Sequence, residues 1–147
     1  MAAYYLALFL SFYPHMNYQT CIQLRRDSIV GDANNAATEY QIPVEVLLTV
    51  AFMESHFGCA RGSGGNWGAP IDRLHRLIPG RAIQAARILS RSLEVCGSWE
   101  GALRRFRYGL CFARIDHTAY SPRAMGIINR LRNPNNPPCV DGICRER

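Results

Sequence analysis

One carboxylate on an otherwise apolar helix is the residue of this sequence best suited to chemistry. Segment 42–58 has a proline at its second position and a glycine at its last, which is typical of the start and end of a helix. At helical spacing, Leu47, Val50 and Ala51 lie on the same stripe as Glu54. A partly desolvated carboxyl group can act as a general acid near neutral pH. A glutamate near a helix end is more often simply solvated, so the residues that follow must decide.

Four later features accompany Glu54 in a definite order. Ser55 follows it directly, a glycine-rich loop contains Asn66-Trp67-Gly68, segment 102–109 reads Ala-Leu-Arg-Arg-Phe-Arg-Tyr-Gly, and Tyr120 opens the last predicted helix. Across residues 40–132, this order and spacing resemble lytic transglycosylases of the SLT type and the related goose-type lysozymes. Those proteins have a catalytic Glu-Ser pair, a glycine-rich loop and an Ala-Leu-x-x-Tyr-Asn-x-Gly stretch.

The resemblance implies a fold, a substrate and a set of site residues. The expected fold is all-α and lysozyme-like, a single compact helical domain with a long irregular active-site loop at about 58–80. The expected substrate is the glycan strand of peptidoglycan, with no cofactor and no metal. Glu54 would be the catalytic residue, and the residues expected to bind substrate are Ser55, Asn66, Trp67, Phe106, Tyr108 and Tyr120. Trp67 and Tyr120 could stack on sugar rings, although a core position is the default for a tryptophan.

The chain also departs from the family pattern. Many family members have Gly-Leu-Met-Gln where this chain has Gly-Ala-Pro-Ile at 68–71, and Phe106 and Arg107 stand in place of a usual Tyr-Asn pair. Three hypotheses therefore stay open. The chain is a lytic transglycosylase with one catalytic carboxylate, a lysozyme-type hydrolase that uses Asp72 or water directly, or a non-catalytic structural or binding protein with a lysozyme-like fold.

The positive charge of the chain favours an acidic partner. All 17 basic residues are arginine, and the net charge is +6. Such a charge suits cell wall, nucleic acid or an anionic membrane surface. Arginines 104, 105 and 107 alternate with aromatic residues, as in some proteins that bind single-stranded nucleic acid. No nucleic-acid-binding motif accompanies them, so we expect a solvated basic helix face and no specific nucleic acid partner.

Six cysteines form an even set, which favours disulfides and an oxidising compartment. We expect Cys96–Cys111, which would join two helix ends, and Cys139–Cys144, which would close a small loop. Elimination then leaves Cys21–Cys59. Zinc is the alternative, but the typical Cys-x-x-Cys and His-x(3–5)-His spacings are absent from the sequence.

Three regions follow from the pattern. Residues 1–27 comprise a hydrophobic N-terminal helix and a connection, 28–132 the lysozyme-like domain, and 133–147 a tail that contains Cys and Pro. The periodicity predicts helices over about 28–40, 42–58, 82–93, 99–106 and 121–131, with a possible break at Asn34-Asn35 and Ser98 as an N-cap. We expect segment 1–12 to be a packed or partner-bound helix rather than a cleaved signal. It could attach the chain to a phage tail or secretion-system assembly, which would place the protein in the periplasm and cell envelope or in a virion.

Overall fold

The structure is a computed structural model that describes residues 1–15, 17–60, 67, 82–112 and 119–135. These residues contain seven α-helices and no strand, which confirms the all-α prediction. The helices are α1 (Ala2–Phe12), α2 (Gln19–Leu24), α3 (Arg26–Glu39), α4 (Val44–Ser55), α5 (Ala82–Cys96), α6 (Trp99–Tyr108) and α7 (Tyr120–Arg132).

Helix α4 is the central element, and it is buried on every side over its first nine residues. It packs against α1, α3, α5 and α7, which explains why its sequence is apolar nearly all round. The two polar residues of this stretch, Glu45 and Thr49, are buried as well. The Thr49 hydroxyl donates to the Glu45 carbonyl at 2.8 Å. The Glu45 carboxylate pairs with Arg132 of α7 at 2.8 Å, so this buried charge has a partner.

The hydrophobic N-terminal segment forms α1 and packs against α3, α4 and α7. Leu6 and Phe9 are fully buried. The Phe9 ring lies 5.2 Å from the ring of Phe52 and 5.5 Å from that of Phe57, at the C-terminal end of α4. Aromatic contacts therefore connect α1 to the part of α4 that carries Glu54.

Two details of the N-terminal half differ from the sequence prediction. Helix α3 runs without a break, because Asn34 serves as a contact between helices: its Oδ1 accepts a hydrogen bond from the backbone N–H of Ala2 at 3.1 Å. Helix α2 was not predicted. It has only six residues, one of them (Ile22) buried, and it lacks a side-chain cap, so periodicity and capping offered no signal.

The predicted boundary between α5 and α6 is confirmed. The Ser98 hydroxyl accepts a hydrogen bond from the Gly101 N–H at 3.2 Å and caps α6. Helix α7 begins at Tyr120, close to the predicted start. There the Ser121 hydroxyl donates to the Glu100 carbonyl at 3.2 Å, which connects the start of α7 to α6.

Two of the three expected disulfides are present in the described residues. Cys96 and Cys111 bracket α6, with 5.5 Å between their Cα atoms. Cys21 of α2 is joined to Cys59, just beyond α4, with a Cα separation of 5.9 Å. The third pair, Cys139–Cys144, lies outside the described residues. Within the described part of the chain, no helix has the length and apolar character needed to cross a membrane.

Candidate active site

Glu54 is the penultimate residue of α4, where the buried central helix approaches the surface. Its side chain is 11% exposed. Leu47, Val50 and Ala51 on the same stripe are fully buried. The prediction of a carboxylate at the end of an apolar stripe is therefore confirmed in geometry.

The turn after Glu54 is held in an unusual backbone conformation. His56 and Phe57 have φ of 48° and 59°, and Gly58 follows with φ of 77°. Side chains rarely tolerate this region, so other contacts must hold the turn. The buried Ser55 hydroxyl does so: it accepts from the Gly58 N–H at 2.8 Å and donates to the Ala51 carbonyl at 3.4 Å. Ser55, expected to contact substrate, is instead engaged in fixing the end of α4.

Tyr120, which the resemblance implies is a substrate-binding residue, lies beside Glu54. It is the first residue of α7 and is 5% exposed. Burial is the main cause that raises the pKa of the Tyr120 hydroxyl above its ordinary value; the negative charge of Glu54 and a hydrogen bond with that carboxylate raise it further. The tyrosine therefore stays protonated and can donate to Glu54.

Arg107 of α6 completes the cluster. Its Nη1 lies 3.3 Å from Glu54 Oε2, and its Cζ lies 5.7 Å from the centre of the Tyr120 ring. The Arg107 side chain is 46% exposed, so the guanidinium lies at the surface above a nearly covered carboxylate. Sequence reasoning noted Arg107 only as a departure from the family pattern and as a member of the basic cluster. Spacing gave no indication of its partner, which lies 53 residues away.

The structure divides the basic cluster of α6 among three surroundings. Arg104 pairs with Glu100 on the same helix, Arg107 pairs with Glu54, and Arg105 lines a groove of about 470 Å³. The groove residues are Arg87, Ile88, Arg91, Ser92 and Arg105. The three arginines therefore differ in their surroundings, although all three belong to α6.

Three of the aromatic residues expected to bind substrate lie in the hydrophobic core or pack against it, which leaves them little exposed surface for a sugar. Trp67 is 2% exposed and belongs to the hydrophobic core, so its ring has no free face that could stack on a sugar. Phe106 and Tyr108 are half-buried and pack against the core. Tyr108 is also close enough to influence the pKa of Tyr120. Trp99 is also only partly buried.

Several predicted features lie outside the described residues, namely Asn66, Asp72 and most of the loop at 58–80. In the described segments, no three His, Cys, Asp or Glu side chains come together as metal ligands would.

Comparisons with protein-family models, curated proteins and solved structures give no match to this chain. Function must therefore be inferred from the chain's own residues.

Proposed function

We propose that this protein is a peptidoglycan lytic transglycosylase in which Glu54 is the catalytic acid. The observation that supports this most is the surroundings of Glu54. Its carboxylate is 11% exposed at the end of a buried helix and has the Tyr120 hydroxyl beside it. A covered carboxylate with a fixed hydrogen-bond donor is a typical arrangement for proton transfer in a site that excludes water.

One carboxylate is sufficient for this reaction. Glu54 would donate its proton to the oxygen that bridges N-acetylmuramic acid and N-acetylglucosamine, and the bond from that oxygen to the muramyl anomeric carbon breaks. The Glu54 carboxylate would then take the proton of the muramyl 6-hydroxyl, whose oxygen bonds to the anomeric carbon. The products are a free N-acetylglucosamine 4-hydroxyl and a 1,6-anhydro-muramyl end. No water is consumed, and Glu54 returns to its starting state.

Tyr120 would orient the acid during both proton transfers. Because its hydroxyl keeps its proton, it can donate a hydrogen bond to the Glu54 carboxylate. The Ser121–Glu100 hydrogen bond and the packing of α7 against α4 fix the position of this tyrosine. A donor held by rigid helices is the arrangement that positioning requires.

The remaining properties of the chain agree with a site of action outside the cytoplasm. Two disulfides are compatible with an oxidising compartment, and a net charge of +6 suits a wall polymer that carries peptide carboxylates. We propose the periplasm or a virion as the location. Tyr4, on the outward face of α1, is 52% exposed and offers an apolar contact for an assembly partner.

A non-catalytic role is the second candidate, and the ion pair between Arg107 and Glu54 favours it. The guanidinium lies 3.3 Å from Glu54 Oε2 and so occupies an oxygen that a catalytic acid would offer to its substrate. In that case the chain would keep the lysozyme-like arrangement as a binding or structural part of an assembly.

Replacement of Glu54 by Gln separates these candidates. The variant keeps the shape of the side chain but cannot supply a proton, so clearing of a cell-wall suspension should slow by about 100-fold or more. Glu94→Gln is the matched control, because Glu94 on α5 is 61% exposed and lies outside the Glu54 cluster. If Glu54→Gln keeps a tenth of wild-type activity, Glu54 is not the acid. A wild-type protein that binds peptidoglycan without clearing it would support the non-catalytic role.

A further inference from the structure

We propose that Arg107 is an electrostatic gate that limits cleavage to glycan bearing carboxylates: a substrate carboxylate draws Arg107 away from Glu54 and so frees the acid. The gate rests on the proposed function, because it controls the proton that Glu54 donates.

The exposure of the two partners makes such an exchange possible. Arg107 is 46% exposed, whereas Glu54 is 11% exposed. An incoming group therefore meets the guanidinium before it meets the carboxylate. Because Arg107 is long and lies on the solvent side of α6, its head can turn outward without displacing the helix.

The contact between Arg107 and Glu54 is weak enough to be replaced. It joins Nη1 to Oε2 at 3.3 Å, longer than the roughly 2.7–2.9 Å of a strong charge-assisted hydrogen bond. A guanidinium carries several N–H donors in a planar fork that fits a carboxylate at two points. A substrate carboxylate could make that paired contact, and the transfer of Arg107 would be favourable.

Withdrawal of Arg107 frees the oxygen that it contacts. With Arg107 in place, its guanidinium lies 3.3 Å from Glu54 Oε2 and competes with the bridging oxygen of the glycan for that atom. With Arg107 withdrawn, Oε2 loses this contact and can be offered to the bridging oxygen. Peptidoglycan offers the necessary charge, because its stem peptides end in carboxylates, whereas a neutral glycan lacks it.

The test compares two forms of one substrate. Peptidoglycan is first acetylated on its free amines, and half is then treated with carbodiimide and methylamine to cap its carboxylates as neutral amides. Wild-type protein should cleave the uncapped form at least tenfold faster in kcat/KM. Arg107→Gln should cleave both forms at similar rates, with the capped form cleaved faster than by wild type. Arg104→Gln is the matched control, because that arginine pairs with Glu100 on the same helix.

A binding measurement gives a readout that does not depend on turnover. With an amine-acetylated disaccharide-tetrapeptide as the probe, Glu54→Gln should bind more tightly than wild type by about fivefold, because the internal competitor for Arg107 is gone. Arg107→Gln should lose the preference for the probe over its methylamide form. A merely structural Arg107 would change neither preference.

The outcomes separate failure of the gate from failure of the proposed function. If wild type cleaves both substrate forms equally and Glu54→Gln cleaves neither, the function holds and the gate is wrong. If Glu54→Gln cleaves as wild type does, or if wild type cleaves neither form, the proposed function fails and the gate fails with it. Binding that is equally tight for the probe and its methylamide form would overturn carboxylate recognition by Arg107.

Discussion

The Cys21–Cys59 disulfide should contribute more to stability than any other covalent link in the described part of the chain. It closes a 38-residue separation, whereas Cys96–Cys111 closes 15. On the chain-entropy model, its removal lowers the free energy of unfolding by about 4 kcal/mol, against about 3 kcal/mol for the shorter loop. Both losses are large compared with the roughly 5–15 kcal/mol by which a domain of this kind is stable.

The same bond should also hold the turn behind Glu54. Cys59 follows three residues with positive φ, and Arg25 Nη1 donates to the neighbouring Gly58 carbonyl at 3.3 Å. Helix α2, with six residues and one buried side chain, cannot be stable without its tethers. Loss of the disulfide should therefore release α2 and the turn together, before the core unfolds.

Equilibrium urea unfolding of Cys21→Ser/Cys59→Ser, followed by far-ultraviolet circular dichroism, measures the loss. With a slope of about 2 kcal/mol/M, the midpoint should fall by about 2 M. Hydrogen exchange should show faster exchange in segments 19–24 and 56–60 and little change in α4. The Cys96→Ser/Cys111→Ser variant is the matched control. A loss below about 1 kcal/mol, or a larger loss for the control, would refute this account.

Three further predictions concern single contacts. Arg132→Gln leaves the Glu45 carboxylate largely covered without its cation and should lower the free energy of unfolding by about 2 kcal/mol, less than for a fully buried pair because Arg132 is 37% exposed. In urea titrations, the double variant Arg132→Gln/Glu45→Gln should recover part of this loss. Losses that simply add in the double variant would contradict the pairing. Ser98→Ala removes the N-cap of α6 and should cost about 1 kcal/mol, or about 3 °C in Tm; an unchanged Tm would show that the cap is unimportant. Burial, followed by the charge of Arg123, lowers the pKa of His56 below its ordinary value of 6.5, so the folded state resists protonation of this side chain. The free energy of unfolding should therefore fall as the pH drops below 6.5, and His56→Gln should make it less dependent on pH in this range. An unchanged pH dependence in the variant would contradict this prediction.

The sequence was most informative where one residue type has one physical consequence. Ser98 before an amphipathic run indicates an N-cap, and the structure has it. The apolar stripe below Glu54 indicates burial, and those residues are buried. An even number of cysteines indicates disulfides, and both pairs that the described residues can test are present. In each case the pattern of residue types along the chain was sufficient for the prediction, because the predicted feature depends mainly on those residues themselves.

The sequence was least informative where tertiary contacts decide. Asn34 has low helix propensity, but its bond to the N-terminus of α1 keeps α3 continuous. Ser55 and Trp67 carry side chains that could serve substrate or structure, and packing assigned both to structure. The position of Arg107 over Glu54 depends on how α6 and α4 each pack against α5 and α7, and no spacing along the chain encodes that.

The form of the cleaved sugar end tests the central claim most directly. Purified protein is incubated with peptidoglycan, and the released muropeptides are analysed by mass spectrometry, with Glu54→Gln as the matched control. The account predicts 1,6-anhydro-muramyl ends, each lighter by one water than a hydrolysed end, and their absence in the variant. Reducing muramyl ends would show a lysozyme-type hydrolase instead, and no released muropeptides from wild-type protein would contradict the proposed activity.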